Sequence, residues 1–439
     1  MYRAQTRVNG RKWKLIVRLT RLAALGLPIA LVGLLTNPEP PLVAILTAGA
    51  IWFVAIRIAR DAIPRVGGFG ACIGVGIGVI LGLVATLVVA IVLPGARIEP
   101  LQLLGMAALM LPLSVILEGW IERKKPPLRV LVIGSVDRGS ELLAETSAAL
   151  DVRIELVVAS ERLPSRNNAL AEIGGIVQRE QPDLVVLADS ASTEEALDRL
   201  LSERLPSFRV AGLDHFHEYA FGRLPINRLS PTWFMSLFHV YRQPYRRVSK
   251  RALDLVLGAL ALILLAPIGM VAALAVLCSG KGSVFYRQLR LGESGRPFEI
   301  VKFRTMVTGA ETNGKPVWAQ EDDERVTSVG RVLRRYRLDE LPQVWNVLKG
   351  EMSIVGPRPE RPEFVQQLER EVPYWTRRHL VKPGITGWAQ IRSGYTADAL
   401  GAADKLSYDL YYLKHGGLLF DLAIVTKTVG VVLAGSGAR

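Results

Sequence analysis

Four apolar runs crowd the first 120 residues, at about 15–35, 41–58, 70–93 and 101–119. Each is close to the ~20 residues needed to cross a hydrocarbon core. Such runs leave few options besides membrane helices, and half of the whole chain is hydrophobic. Residues 1–122 are therefore expected to form a bundle of four transmembrane helices. Gly74, Gly76, Gly78 and Gly82 in the third run permit close helix packing. The first run carries Arg18 and Arg21 and lacks a small-residue cleavage site, so it reads as an anchor rather than a cleaved signal.

The charges set the expected orientation. Arg3, Arg7, Arg11, Lys12 and Lys14 precede the first run, Arg57, Arg60 and Arg65 separate the second from the third, and Arg123, Lys124 and Lys125 follow the fourth. The other two connections, at 36–40 and 94–100, hold only Arg97. The excess of cations places the N-terminus and everything after residue 122 in the cytoplasm. A net charge of +14 suits an anionic membrane face. Nucleic acid is not an expected partner, because no zinc-ligand spacing, RNP-like motif or basic helical repeat occurs. Cys72 and Cys278 both lie in apolar stretches and read as core residues, not as a disulfide or a metal site.

Residues 123–221 alternate strand-like and helix-like patterns, with strands expected near 129–134, 153–158, 183–188 and 208–213. That rhythm predicts a small, degenerate Rossmann-like parallel α/β domain. Gly134 and Gly139 stand where a dinucleotide fingerprint begins, but Val136 occupies the middle glycine position and blocks close approach of a phosphate. His215 and His217 read as loop or surface residues. Residues 222–245 read as a linker to a third domain, 246–439.

That domain opens on a further apolar run, 255–280, without a charged residue. Arg246, Arg247, Lys250 and Arg251 precede it; Lys281, Arg287 and Arg290 follow. Basic flanks at both ends favour a re-entrant helix, about 252–278, that returns to the face it entered. Pro267 removes a backbone donor near its centre and supplies the break. Beyond it lie groups suited to phosphate chemistry. Asp339 and Glu340 follow Arg331, Arg334, Arg335 and Arg337. Arginine binds phosphate bidentately and keeps a nearby acid ionised. Pro357-Arg358-Pro359 presents one guanidinium from a rigid backbone. Lys302 and Arg304 share a face if their segment is a strand. Lys382, Thr386 and Gln390 sit in a turn-rich loop. Taken singly, each has a plain structural reading: an ion-paired helix, a cap, a core tryptophan at 388.

Residues 246–439 resemble the bacterial sugar transferases, the monotopic phosphoglycosyl transferases. The similarity rests on the basic-flanked helix with its proline, Lys302-Phe-Arg-Thr-Met306, Leu338-Asp-Glu-Leu-Pro-Gln343 with Arg334 before it, Gly350-Glu-Met-Ser-Ile-Val-Gly-Pro-Arg-Pro359, Lys382–Gln390 and Tyr408-Asp-Leu-Tyr-Tyr412. The resemblance implies an α-rich catalytic domain that moves a sugar-1-phosphate from a UDP-sugar to undecaprenyl phosphate, releasing UMP with Mg²⁺. It implies Asp339 as nucleophile, Glu340 as metal ligand or base, and Arg334 and Arg358 as phosphate and nucleotide contacts. Lys302, Arg304, Pro357, Pro359 and Lys382 are further substrate-site expectations, and Asp339 with Glu340 the metal site. A homodimer in the bacterial inner membrane and a role in exopolysaccharide or O-antigen assembly are family-level implications. Two departures stand out. Ala266 replaces the serine that often precedes the helix-breaking proline, and 390–399 differs from the Arg-Gly-Glu-Thr ending of some members, closer to a subgroup tied to exopolysaccharide loci. A non-catalytic scaffold of polysaccharide assembly and a membrane-bound nucleotide-sugar modifying enzyme using 128–213 are the alternatives.

Overall fold

The computed structural model describes residues 2–36, 42–63, 68–92, 98–133, 142, 145–146, 154–159, 179, 182–187, 209–226, 229, 234, 244–310, 323–393 and 399–433. Contacts divide the chain into two compact units, Met1–Gly222 and Arg223–Arg439. Among the described residues, five helices are long and apolar enough to cross a membrane.

Four of them open the first unit: α1 (Tyr2–Leu35), α2 (Leu42–Ala62), α3 (Gly68–Val92) and α4 (Pro100–Lys124). α2 packs on α3, α3 on α4, and α4 on α1. Trp52, Val79, Leu103, Met106 and Met110 fill the space between them, while Leu27, Leu34, Ile91 and Leu101 face outward, as lipid contact requires. The glycines act as the sequence suggests. The Trp52 ring occupies the place a Cβ at Gly82 would take, and its Nε1 donates to the Val79 carbonyl at 3.0 Å. Arg21, the awkward charge of the first run, is answered by buried Glu118 through two hydrogen bonds, Nε–Oε2 at 3.0 Å and Nη2–Oε1 at 2.5 Å.

The same unit holds β1 (Leu128–Ile133), β2 (Ile154–Ala159), β3 (Leu184–Leu187) and β4 (Arg209–Gly212), all parallel, in the order β2-β1-β3-β4. Val130, Leu131 and Val132 are all buried, as expected of a parallel strand covered on both faces. The Gly134–Val136–Gly139 turn lies outside the described residues. One expectation is corrected: His217 is buried. It lies on α5 (Leu213–Phe221), where helical spacing turns it inward beside Phe221 and within 3.6 Å of Glu145, while His215 stays exposed.

The second unit opens on α6 (Pro244–Cys278), followed by the antiparallel pair β5 (Phe285–Leu291) and β6 (Pro297–Phe303). Then come α7 (Ser328–Arg335), a 3₁₀ turn at Leu338–Glu340, α8 (Gln343–Lys349), β7 (Ser353–Val355), α9 (Pro362–Glu371), β8 (Gly384–Thr386), α10 (Trp388–Arg392), α11 (Ala399–His415) and α12 (Leu418–Leu433). Described residues of the 222–245 stretch pack within this unit: Arg223 pairs with Asp404 at 2.6 Å, and the Phe234 ring lies 4.8 Å from Tyr374.

α6 is anchored at both flanks. Near its start, Lys250 binds Asp421 at 2.8 Å, and Arg251 donates to the Val347 and Leu348 carbonyls at 2.6 and 2.7 Å. Asp254 accepts from the Ser353 hydroxyl and the Ile354 amide at 2.8 and 2.9 Å. Near its end, Ala272 and Val276 pack with Phe303 and Leu333. Between the anchors Leu260, Ile263, Leu264, Ile268 and Met270 are exposed. The helix runs unbroken through Pro267.

Gly82→Ala forces the Trp52 ring to move and is expected to cost about 1–3 kcal/mol. Thermal unfolding in detergent, compared with Gly26→Ala, where nothing lies within 4 Å of the added methyl, measures it.

Candidate active site

The adjacent carboxylates are presented by a strained turn. Thr327 caps α7 by accepting from the Gly330 amide at 2.9 Å. Gly330 has no room for a side chain because the Thr305 backbone lies against it. After α7 the chain turns through Arg337, a non-glycine residue at φ 52°, a conformation that costs on the order of 1–3 kcal/mol. The 3₁₀ turn that follows buries Asp339 and Glu340, at 9% and 6% exposure.

The two carboxylates have different surroundings. Glu340 Oε1 accepts from Lys302 Nζ at 3.1 Å and Arg358 Nη2 at 2.8 Å, and Arg337 approaches Oε2 at 4.0 Å. Burial alone pushes Glu340 up, but Arg358, Lys302 and Arg337 outweigh it and hold the carboxyl well below its usual range. Asp339 takes no hydrogen bond or ion pair among the described residues. Burial and then the Glu340 charge push Asp339 upward; Lys302, Arg334 and Arg358 offset this only in part. Burial lowers Lys302, against Glu340, and attraction to Glu340 raises Arg358. Asp339 is thus the uncommitted group and Glu340 the structural node, a distinction invisible in an Asp-Glu pair as written.

The other sequence candidates fall into two sets. Lys302, Arg334 and Arg358 gather at the pair; Arg334 also donates from Nε to the Thr305 hydroxyl at 2.9 Å. Arg304 does not join them. β6 stops at Phe303, so the shared-face expectation fails; Arg304 Nη2 donates to the Val276 and Gly280 carbonyls, at 2.9 and 2.8 Å, and closes the end of α6. Orphan carbonyls at a helix C-terminus recruit cations in this way. Lys382 lies beside Gly350 and Arg251 and, among the described residues, makes no bond to either carboxylate. The loop that carries it braces the rigid motif instead: Gly384 N donates to the Pro357 carbonyl and Gly356 N to the Thr386 carbonyl, each at 2.9 Å. Pro359 is held through its carbonyl by Arg290 Nη1 at 3.2 Å. Arg337's contact with Glu340 was not foreseen; its place in the arginine-rich stretch three residues before Glu340 was the available signal.

Among the described residues no three His, Cys, Asp or Glu side chains cluster as a metal cage. The donors present are hard carboxylate oxygens, one of them without a hydrogen-bond partner, which fits a Mg²⁺ ion that takes one or two carboxylates and fills its remaining positions with water and substrate phosphate.

A lysine and arginines thus surround two buried carboxylates in the unit that carries the apolar helix α6. The sequence model of the family described as bacterial sugar transferase matches residues 245–435. The UDP-N-acetylgalactosamine-undecaprenyl-phosphate N-acetylgalactosaminephosphotransferase of Aeromonas hydrophila is 40% identical over 246 residues, 56% of this chain and 56% of that protein. The UDP-glucose:undecaprenyl-phosphate glucose-1-phosphate transferase of Escherichia coli K12 is 44% identical over 185 residues, 42% of this chain and 40% of its own. The similarly named protein of Caulobacter vibrioides is 40% identical over 191 residues, covering 71% of its length. The chain spans about half the length, or less, of the first two relatives, and it belongs to the bacterial sugar transferase family.

The two carboxylates are expected to respond oppositely to neutralisation. Glu340, held low when folded, contributes stability above its unfolded pKa and loses it as pH falls. Asp339, held high, costs stability above its unfolded pKa and ceases to cost as pH falls. Glu340→Gln is therefore expected to destabilise by about 3–5 kcal/mol at pH 7, and Asp339→Asn to stabilise at pH 7 but not near pH 3. Urea unfolding of detergent-solubilised protein at both pH values checks the signs.

Proposed function

We propose that this protein transfers a sugar-1-phosphate from a UDP-sugar to undecaprenyl phosphate on the cytoplasmic face of the bacterial inner membrane, releasing UMP, as a first membrane step of exopolysaccharide or O-antigen assembly. The observation that carries the reading is the asymmetry of the carboxylate pair: Glu340 gathers the cations, and Asp339 beside it is left without a hydrogen bond. Asp339 Oδ attacks the sugar-bearing phosphorus of the UDP-sugar. The bond from that phosphorus to the bridging oxygen breaks, and UMP departs with the electron pair. A phosphate oxygen of undecaprenyl phosphate then attacks the same phosphorus and displaces Asp339. Arg334 and Arg358 offset the charge of two anions meeting an anionic nucleophile. Glu340, ionised at any physiological pH, is unsuited to act as a base and instead holds Lys302 and Arg358 in place. When bound, Mg²⁺ at Asp339 and Glu340 supplies charge neutralisation for the diphosphate.

Both flanks of α6 dock on the second unit, which supports re-entry. From Gly258, which meets Leu348, to Ala272 is a rise of about 21 Å along a straight helix. A hydrocarbon core is about 30 Å thick. The exposed middle of α6, which lacks the break expected at Pro267, is seated in one leaflet, and the homodimer is built on the same membrane-seated chain.

Intact-protein mass after incubation with Mg²⁺ and a panel of UDP-sugars, without acceptor, is expected to show a sugar-phosphate adduct that Asp339→Asn lacks. With undecaprenyl phosphate present, the same change is expected to lower UMP release at least about 1000-fold. Unchanged turnover in that variant would overturn Asp339 as the nucleophile, and absence of UMP release from the wild type would return the choice to a scaffold. Re-entry is checked separately: after Cys72→Ser and Cys278→Ser, single cysteines at Arg247 and Ser279 are expected to react with an impermeant maleimide from the same side of sealed vesicles. Labelling from opposite sides refutes it.

A further inference from the structure

The Tyr408–Tyr412 motif has no part in the chemistry above, yet it holds an expensive feature. Arg378 and Asp409 are 2% and 1% exposed and pair at 2.8 Å, Nη2 to Oδ2. Burying such a pair rarely stabilises a fold better than apolar packing does. The cost is raised here because Arg378 Nε and Nη1 have no hydrogen-bond partner among the described residues. The guanidinium lies over the Trp375 ring, 4.4 Å from its centroid, and Nη1 is 3.9 Å from Glu360. Its hydrogen bond to the main chain goes from Nη2 to the carbonyl of Arg358, at 3.1 Å. Arg358 is the residue whose side chain meets Glu340.

A second, partly buried arginine does the same one residue on. Arg290 donates to the Pro359 carbonyl and lies 3.7 Å from Glu360. The Pro-Arg-Pro backbone is thus gripped by a layer of Arg290, Glu360, Arg378 and Asp409, with Pro357 tied to Gly384 on its other side.

Resting on the transferase reading, we propose that Arg378, oriented by Asp409, is a positioning residue for Arg358, fixing the peptide so that the Arg358 guanidinium can hold Glu340 and meet the nucleotide phosphates. Proline on both sides removes a backbone donor at 357 and at 359, so this peptide is secured through its carbonyls, and arginines supply the donors. Burial, which outweighs Arg378, pushes Asp409 up to about 6, with Glu360 adding to the rise and Lys405 opposing it.

The test is a double-mutant cycle on UMP release from a UDP-sugar in nanodiscs containing undecaprenyl phosphate. Arg378→Gln is expected to lower kcat/KM for the nucleotide sugar about 10- to 100-fold, the usual loss on removing a supporting residue, with KM for undecaprenyl phosphate unchanged. Arg378→Lys is expected to restore part of it. In an Arg358→Gln background, Arg378→Gln is expected to cost less than about twofold more. Multiplying losses, or an equal loss of acceptor affinity, overturn the proposal. If Arg378→Gln does not fold, Asp409→Asn takes its place in the cycle with the same expectations. An inactive wild type refutes the transferase reading alone. The brace is then judged by urea midpoints of the Arg378→Gln and Glu340→Gln pair, where additive shifts overturn it.

Discussion

Glu340 is the node on which the catalytic unit depends. It receives Lys302 from β6 and Arg358 from the segment after β7, while Arg337, three residues earlier, faces its other oxygen. Segments far apart in the chain converge on one buried carboxylate. Such a node is costly if any member is missing, because the remaining charges stay buried without compensation. Its sign also matters. Lys302, Arg334, Arg337 and Arg358 outnumber Asp339 and Glu340, so the cluster keeps a positive excess.

The membrane helix joins this arrangement through polar residues rather than apolar ones. Lys250, Arg251 and Asp254 lie within the first turns of α6 and are all engaged by α8, β7 and α12. The last turns of α6 lie against Phe303 and Leu333, between Lys302 and Arg334 in sequence space, and Arg304 closes the helix end. Two ends of one apolar helix are thereby fixed to the elements that carry the site.

Much of this was legible in the chain as written. Hydropathy over about 20 residues is a local signal, and the expected runs fall on α1–α4, though α1 starts at Tyr2, well before its apolar run. The parallel strands were legible for the same reason. The carboxylate pair and its arginines stood out because they are neighbours in sequence. What escaped depends on where elements stop and what they meet. Arg304 was grouped with Lys302 by spacing, but spacing says nothing of the strand ending at Phe303. Lys382 was read by its charge, while its loop works through backbone amides. Arg378 and Asp409 are 31 positions apart, and no local pattern announces that they touch.

The split between Asp339 and Glu340 follows from the turn itself. In a 3₁₀ turn, at 3 residues per revolution, successive side chains point about 120° apart. The two side chains do not take the same hydrogen-bond donors. The left-handed Arg337 starts the turn and decides which carboxylate faces β6 and the Pro-Arg-Pro segment. That one is neutralised by hydrogen bonds and becomes structure. The other is buried by the same turn without a hydrogen bond among the described residues, with burial and the charge of its neighbour both acting on it. The strain at Arg337 therefore goes with the split: one short turn holds a carboxylate bonded to Lys302 and Arg358 beside one with no hydrogen bond among the described residues.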